Sequence, residues 1–478
     1  MRSSLARRSI LLASAAFLSF VPVACDDDDD DGGGVGRAET VPAVVMGPIT
    51  GFGSVIVNGI ELDVSNAEIL IDGEAGSEAD LGFGEIVTVD GAVDERLGVG
   101  TATRVVARSE VVGPVDAIDD ATGVITVLGQ PVITDEFTVF GGTTFETLMV
   151  GDVVRVSGFA SGDLPIRATR IEAATAGTPL RVRGRVCELD ANQETFMIRD
   201  LVIDFTGAEL VNLPEGLAND QVVEVESATG IAGGSLRASR VVAAEDIVAE
   251  PGDLVSIEGF ISRVLATDVF EVESMPVSVD DATLFEHGEV ADLAPDARVG
   301  IVGVLSEDEV VVADEIAFRR APDVRFEGTV TAVDAAGGRV SVLGQPFVID
   351  RATIVDEVTG EGGQPIRLGD FAAGQRAIVI GFSTPSGELV ATRLRRISDG
   401  AANEAFVFGP VTGVTQPDLE VVGVAVRTTA ATEFFNSAGA PISAMTFFGA
   451  VADGDIVDVE GAFANDLLLA NVVQLVGD

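Results

Sequence analysis

Gly151-Asp152-Val153-Val154-Arg155-Val156-Ser157-Gly158 is the stretch on which the fold turns. Val154 and Val156 point one way and Arg155 the other, the two-residue period of a half-buried antiparallel strand. The same phrase stands at Gly84-Glu85-Ile86-Val87-Thr88-Val89-Asp90-Gly91 and at Gly454-Asp455-Ile456-Val457-Asp458-Val459-Glu460-Gly461. There Val87 with Val89 and Val457 with Val459 take the inward side, and Thr88 and Asp458 the outward. A strand that returns in this form signals an internal repeat, and a repeat sets the architecture before any other feature does.

Working outward, each copy opens on a glycine in a short strand: Gly47, Gly113, Gly184, Gly259, Gly328 and Gly409, at steps of 66, 71, 75, 69 and 81 residues. Six units result. Each closes on a second alternating strand, such as Ala102-Thr103-Arg104-Val105, Ala168-Thr169-Arg170-Ile171, Ala238-Ser239-Arg240-Val241 and Ala391-Thr392-Arg393-Leu394. Their arginines read as solvent-facing partners of nearby carboxylates. Between opening and middle lies a hairpin, with Asn58-Gly59 joining Val55-Ile56-Val57 to Ile60-Glu61-Leu62, because both turn residues tolerate positive φ. Gly129 and Gly344 hold the same slot inside identical pentapeptides, Val127 to Pro131 and Val342 to Pro346, which points to duplication.

Five strands per unit and no run of 3.6-residue period predict an all-β chain, a tandem array of about six small five-stranded OB-like antiparallel barrels that close to hide their edges. The opening glycine is expected to permit a bulge where the first strand coils. The boundaries expected are 1–24 for a signal peptide and 25–43 for a lipid-anchored, disordered Asp/Gly linker. The barrels follow at 44–112, 113–180, 181–253, 254–324, 325–401 and 402–478. Val302, Ile378 and Ile380 put apolar side chains where the other units carry charge, either as contacts between units or as scattered surface residues.

Gly51-Phe52-Gly53-Ser54-Val55-Ile56-Val57-Asn58-Gly59, and Gly113-Pro114-Val115 followed by Val127-Leu128-Gly129-Gln130-Pro131, resemble the bacterial domain of unknown function DUF5666. The resemblance covers nearly all of residues 44–478 and is strongest in units one, two and five. It implies tandem copies in an exported or lipid-anchored protein. It carries over no catalytic residue.

The charge balance narrows the function. With 77 acidic against 29 basic residues the formal charge is −48, a surface that repels phosphate backbones and anionic head groups, so nucleic acid is not an expected partner. The chain contains no Lys and a single His, which removes Schiff-base chemistry, the phosphate-loop lysine and most catalytic triads.

Residues 1–25 read as an export signal, with Arg2, Arg7 and Arg8 before an apolar run from Ile10 to Phe20 that is too short to span a bilayer by preference. It ends in Val21-Pro22-Val23-Ala24-Cys25, which resembles a bacterial lipobox, with Pro22 in place of the usual Leu. Cys25 is the expected lipidation site, and ordinary cleavage near Ala24 is the alternative. Asp26 to Asp31 and Gly32 to Gly34 follow as a solvated tether. Membrane contact is expected through this lipid alone, at the periplasmic or outer face of a bacterial membrane.

Little else carries chemistry. His287, in Glu286-His287-Gly288-Glu289, fits no zinc motif and reads as a surface loop residue. Cys187 reads as a small buried apolar residue. Catalytic residues, metal sites and cofactors are expected to be none. The reading is a non-enzymatic envelope lipoprotein, a multi-domain binding or structural module towards a partner protein or polysaccharide. Its alternatives are a carboxylate-dependent glycan hydrolase and a passive acidic spacer.

Overall fold

The computed structural model describes residues 40–476, apart from positions 53, 95–97, 136, 161–163, 176, 245–248, 274, 360–361, 385, 399 and 401–402. The expected signal peptide, Cys25 and most of the linker lie outside the described residues. The first strand, Val41–Gly51, begins inside the stretch assigned to linker, because Ala43, Val44 and Val45 are buried as it pairs along its length.

In the first unit Val41–Gly51, Val55–Val57, Ile60–Asp63, Ile86–Asp94 and Val99–Ala107 close into a ring. First pairs with second, second with third, fifth with fourth and fourth with first, all antiparallel, and third meets fifth in parallel. That order, with one parallel seam, is the OB-like barrel the alternation called for. It recurs in the second, fourth, fifth and sixth units, so five rings close among the described residues. In the third unit the same order is laid out in two sheets. Its first strand breaks at Val186 between Leu180–Arg185 and Cys187–Asp190, and its fifth breaks between Ser235–Arg237 and Arg240–Ala243.

Each unit also carries strand that the five-strand count missed. Glu68–Ile71 runs parallel to the far half of the fifth strand, as do Val139–Gly141, Glu209–Val211, Leu284–Glu286 and Glu433–Phe435. The sixth unit adds a helix, Ala444–Ala450, whose N-cap Ser443 accepts from the Thr446 amide and whose Phe447 is fully buried.

The glycines divide their work differently from expectation. Bulges fall beyond the opening glycine, between Ile49 and Gly51 or Val115 and Ala117, and again at the glycine closing the middle phrase, Gly91, Gly158, Gly303, Gly381 and Gly461. A methyl group on Gly381 would lie 2.1 Å from the Val390 carbonyl oxygen of the facing strand. The opening glycine instead leaves room for the hairpin turn. A methyl on Gly113 would sit 2.6 Å from Leu128 Cβ, and one on Gly328 2.4 Å from Leu343 Cδ2. Leu128 and Leu343 hold φ of 46° and 50° before the turn glycine, a conformation a Leu adopts at a cost of ~1–2 kcal/mol. Burial of the same two side chains offsets it.

The units are joined out of sequence order. Ala43–Met46 of the first unit pair in parallel with Leu254–Ile257 of the fourth. Val111 and Val112 pair antiparallel with Val182 and Arg181 of the third, and Arg325–Glu327 pair antiparallel with Phe408–Phe406 of the sixth. Units two and three share one continuous apolar core, and units five and six share another. Val302 packs against the core of the first unit, so it is a contact between units.

Candidate functional site: a carboxylate pair where three units meet

Charged side chains gather where the units touch. Glu110 stands just before the strand Val111–Asp119 of the second unit, Arg183 lies in Leu180–Arg185 of the third, and Glu273 occupies the hairpin turn after Val269–Val272 of the fourth. The Arg183 amide donates to the Glu110 carbonyl at 2.9 Å, and its Nη1 donates to Glu110 Oε1 at 2.9 Å. Glu273 has φ of 48° and folds over Gly259, in the slot Leu128 and Leu343 fill elsewhere. Glu110 Oε2, Glu273 Oε1 and Arg183 Nε are closed to solvent and have no hydrogen-bond partner among the described residues.

Burial, and then repulsion from Glu110, push the Glu273 carboxyl up to about 8, against the pull of Arg183 and of a hydrogen bond from the Phe260 backbone. Burial works against the Arg183 charge, but Glu110 first, and then Glu273 and Glu224, hold it above its ordinary value. The junction therefore holds a protonated carboxyl next to a carboxylate paired with a guanidinium. It can take up or release a proton near neutrality.

Other buried carboxylates meet arginines in the same way, some between units and some within one. Asp72 of the first unit accepts from the Ser109 amide at 2.8 Å and lies 3.3 Å from Arg155 and 3.8 Å from Arg181. Burial raises Glu85 to about 7, against a hydrogen bond from the Gly82 amide and the charges of Arg170 and Arg155. Glu258 is buried, yet Arg298 at 2.6 Å and Arg319 at 3.6 Å outweigh the desolvation and lower it. Asp356 is wholly buried between Arg393 at 2.6 Å and Arg395 at 2.7 Å. A cavity of about 70 Å³ opens where units one, two, four and five meet, lined by Pro48, Asp135, Phe159, Arg167, Phe260 and Arg298 among others. Neither Glu110 nor Glu273 lines it.

The residues singled out from sequence fare unevenly. Cys25 lies outside the described residues. His287 lies in a loop, as expected, but its half-buried side chain is held between units, with Nε2 3.4 Å from Asp350 and the ring edge-on to Phe382. Cys187 is only half-buried, its thiol donating to the Arg185 carbonyl at 3.7 Å, since the first strand breaks beside it. Of the closing arginines, Arg104 and Arg240 are partly exposed beside Glu68 and Glu209, as expected. Arg170 and Arg393 instead turn inward, Arg170 donating to the Phe83 carbonyl of the first unit at 3.1 Å. Among the described residues no group of three or more His, Cys, Asp or Glu is placed to hold a metal ion, and no helix is long and apolar enough to cross a membrane.

Sequence reasoning missed Glu110, Arg183 and Glu273. The available signal was the turn slot. Aligning the residue before each turn glycine gives Asn58, Leu128, Leu343 and Val422, and Glu273 and Arg199 take that place as charges.

Rings with one parallel seam, fused through their first strands, define a multi-barrel OB-like β-protein. The chain belongs to the DUF5666 family, "Domain of unknown function (DUF5666)", whose pattern matches residues 112–172, 250–317, 327–395 and 408–474. These are the second, fourth, fifth and sixth units; the third unit lies outside the matched segments, and so does the first, one of the three in which the resemblance is strongest. No curated protein matches the chain. Among solved structures, the Drosophila chain titled "drosophila Unr CSD456" is 14% identical, over 44% of this chain and 97% of its own length, at a TM-score of 0.13, too low to carry an argument.

Proposed function

We propose that the chain is an exported lipoprotein held at a bacterial membrane through Cys25, and that its mature part is a non-enzymatic scaffold of six barrels, with residues 180–243 counted as the sixth. It presents the outer faces of those barrels to a partner protein or an envelope polysaccharide. Nucleic acid is a poor partner for a surface of this charge. The observation that carries the reading is where the charged chemistry is placed. The buried carboxylates Asp72, Glu110, Glu258 and Asp356 each face arginines, and the first two of these sites bind one unit to another. Such groups fix the relative positions of barrels, which suits a scaffold. Pairing of the first unit with the fourth supports a compact body rather than a long reach.

Two measurements test it. Cells fed a labelled fatty acid should incorporate it into the wild-type chain and not into Cys25→Ser; equal labelling of both, or of neither, refutes the anchor. The lipid-free chain, used as bait against envelope extract, should retain a partner in high salt, and loss of every partner at high salt would leave only a passive acidic spacer.

A further inference from the structure

In each closed ring the first strand is longer than its own barrel needs. Its N-terminal half pairs with the fourth strand on one side, and its C-terminal half pairs with the second strand on the other. In the first unit the fourth strand covers Val41–Pro48, while the second covers only Ile49–Gly51. In the fifth, the fourth strand covers Val324–Thr329 and the second covers Val330–Asp334. The second edge of the N-terminal half therefore has no partner within its own barrel. A row of unsatisfied amides and carbonyls flanked by Val, Phe and Leu is a template for another strand.

All six units dispose of that half-edge in one way, on the first strand of another unit. Units one and four pair in parallel, whereas units two and three, and five and six, pair antiparallel. Both orientations succeed, so main-chain hydrogen bonding rather than a fixed set of side chains carries the recognition. The residues involved are buried, Ala43, Val44 and Val45 against Leu254, Val255 and Ile257, and Phe326 against Val407.

We infer that the open half-edge of the first strand is a homotypic docking site, saturated among the described residues by the pairing of units one with four, two with three and five with six, and that a half-edge set free takes the first strand of a second copy of this chain. A unit of this family is then an incomplete structure whose partner is another unit of its own kind. The surface carries no requirement for the envelope role proposed above, and its test is independent of it.

The test uses the folded full chain with a protease recognition sequence placed in the linker at 398–403, between the fifth and sixth units. The uncut chain should sediment as a monomer. After cleavage, a preparation with an affinity tag on the sixth unit is mixed with an untagged one. Free re-pairing predicts that tagged sixth units carry untagged five-unit bodies in the statistical share. Amides of Arg325–Glu327 and Phe406–Phe408 should stay protected from hydrogen exchange throughout. If the cut pieces separate and each stays monomeric at high concentration, the inference is overturned. If tagged pieces re-pair while those amides exchange freely, it is overturned as well, because another surface would be holding them. If the cut protein stays together, the tagged and untagged preparations are unfolded together in urea and refolded, and tagged sixth units that then carry no untagged five-unit body would refute docking in trans.

Discussion

Glu273→Gln offers the sharpest test of the three-unit junction. An acid whose folded value is about 8, against an ordinary 4.5, holds its proton in the folded state through a pH range in which the unfolded chain has released it. Folding then binds a proton, so the contribution of Glu273 to stability falls as pH rises from 4.5 to about 8, and above that the loss is complete and no longer grows. At about 1.4 kcal/mol per pH unit the whole interval corresponds to on the order of 5 kcal/mol, an upper figure because Glu273 is not wholly out of reach of solvent. Gln keeps the shape and carries no charge at any pH. The variant should match wild type near pH 4.5 and outlast it increasingly towards pH 9. With no Trp or Tyr in the chain, urea titrations are best followed by far-UV circular dichroism. Because a multi-unit protein need not unfold in one step, hydrogen exchange at residues 181–183 and 270–273 reports the junction itself. Glu85, raised to about 7, contributes a slope of the same sign to both proteins and cancels in the comparison. A stability difference between variant and wild type that stays flat from pH 5 to pH 9, or that favours wild type at pH 9, would refute the reasoning.

Asp356→Asn should cost about 3–5 kcal/mol, because it leaves the buried Arg393 guanidinium without its counter-charge; an unchanged thermal melt would show that the pair contributes nothing. Gly381→Ala and Gly328→Ala should each cost about 1–3 kcal/mol by overpacking. Gly381→Ala should be the worse, since its new methyl meets the Val390 carbonyl oxygen and that of Gly328→Ala meets only the movable end of Leu343. The reverse order in chemical denaturation would contradict the assignment of the two glycines. The double variant Gly328→Ala/Leu343→Ala should recover part of the loss, and strict additivity of the two single changes would argue that they do not touch.

What the sequence disclosed was local. Val154 and Val156 on one side of Arg155 identify a strand without reference to any other part of the chain, and Asn58-Gly59 identifies a turn because its backbone demands residues of that type. Leu128 and Leu343 hold the same turn geometry and gave no such signal, since a leucine reaches positive φ only when burial elsewhere outweighs the strain. The helix Ala444–Ala450 is too short to show a period of 3.6 residues. The junctions were hidden for another reason. Glu110, Arg183 and Glu273 lie on three successive units, and only the packing of those units against one another brings them together. His287 was misjudged on the same account, since Asp350 and Phe382 belong to the next unit, whereas Arg393 turns inward onto Asp356 of its own barrel.

The pattern of pairing carries the duplication further than the repeated pentapeptide alone. Units two and three pair antiparallel through their first strands, and so do units five and six; each couple shares an apolar core. The pentapeptides Val127 to Pro131 and Val342 to Pro346 fall in the second and fifth units, equivalent places in the two couples. Units one and four, one ahead of each couple, meet each other in parallel. With residues 180–243 counted as a unit, as proposed above, the described residues fall into two sets of three, each with one half-edge unpaired inside the set, and the sets meet at those edges. A set of three units could not saturate itself, and doubling it could. The turn slot shows that side chains at the junctions vary while the main-chain pairing is kept: Leu128 and Leu343 fill it in the second and fifth units, and Glu273 fills it in the fourth.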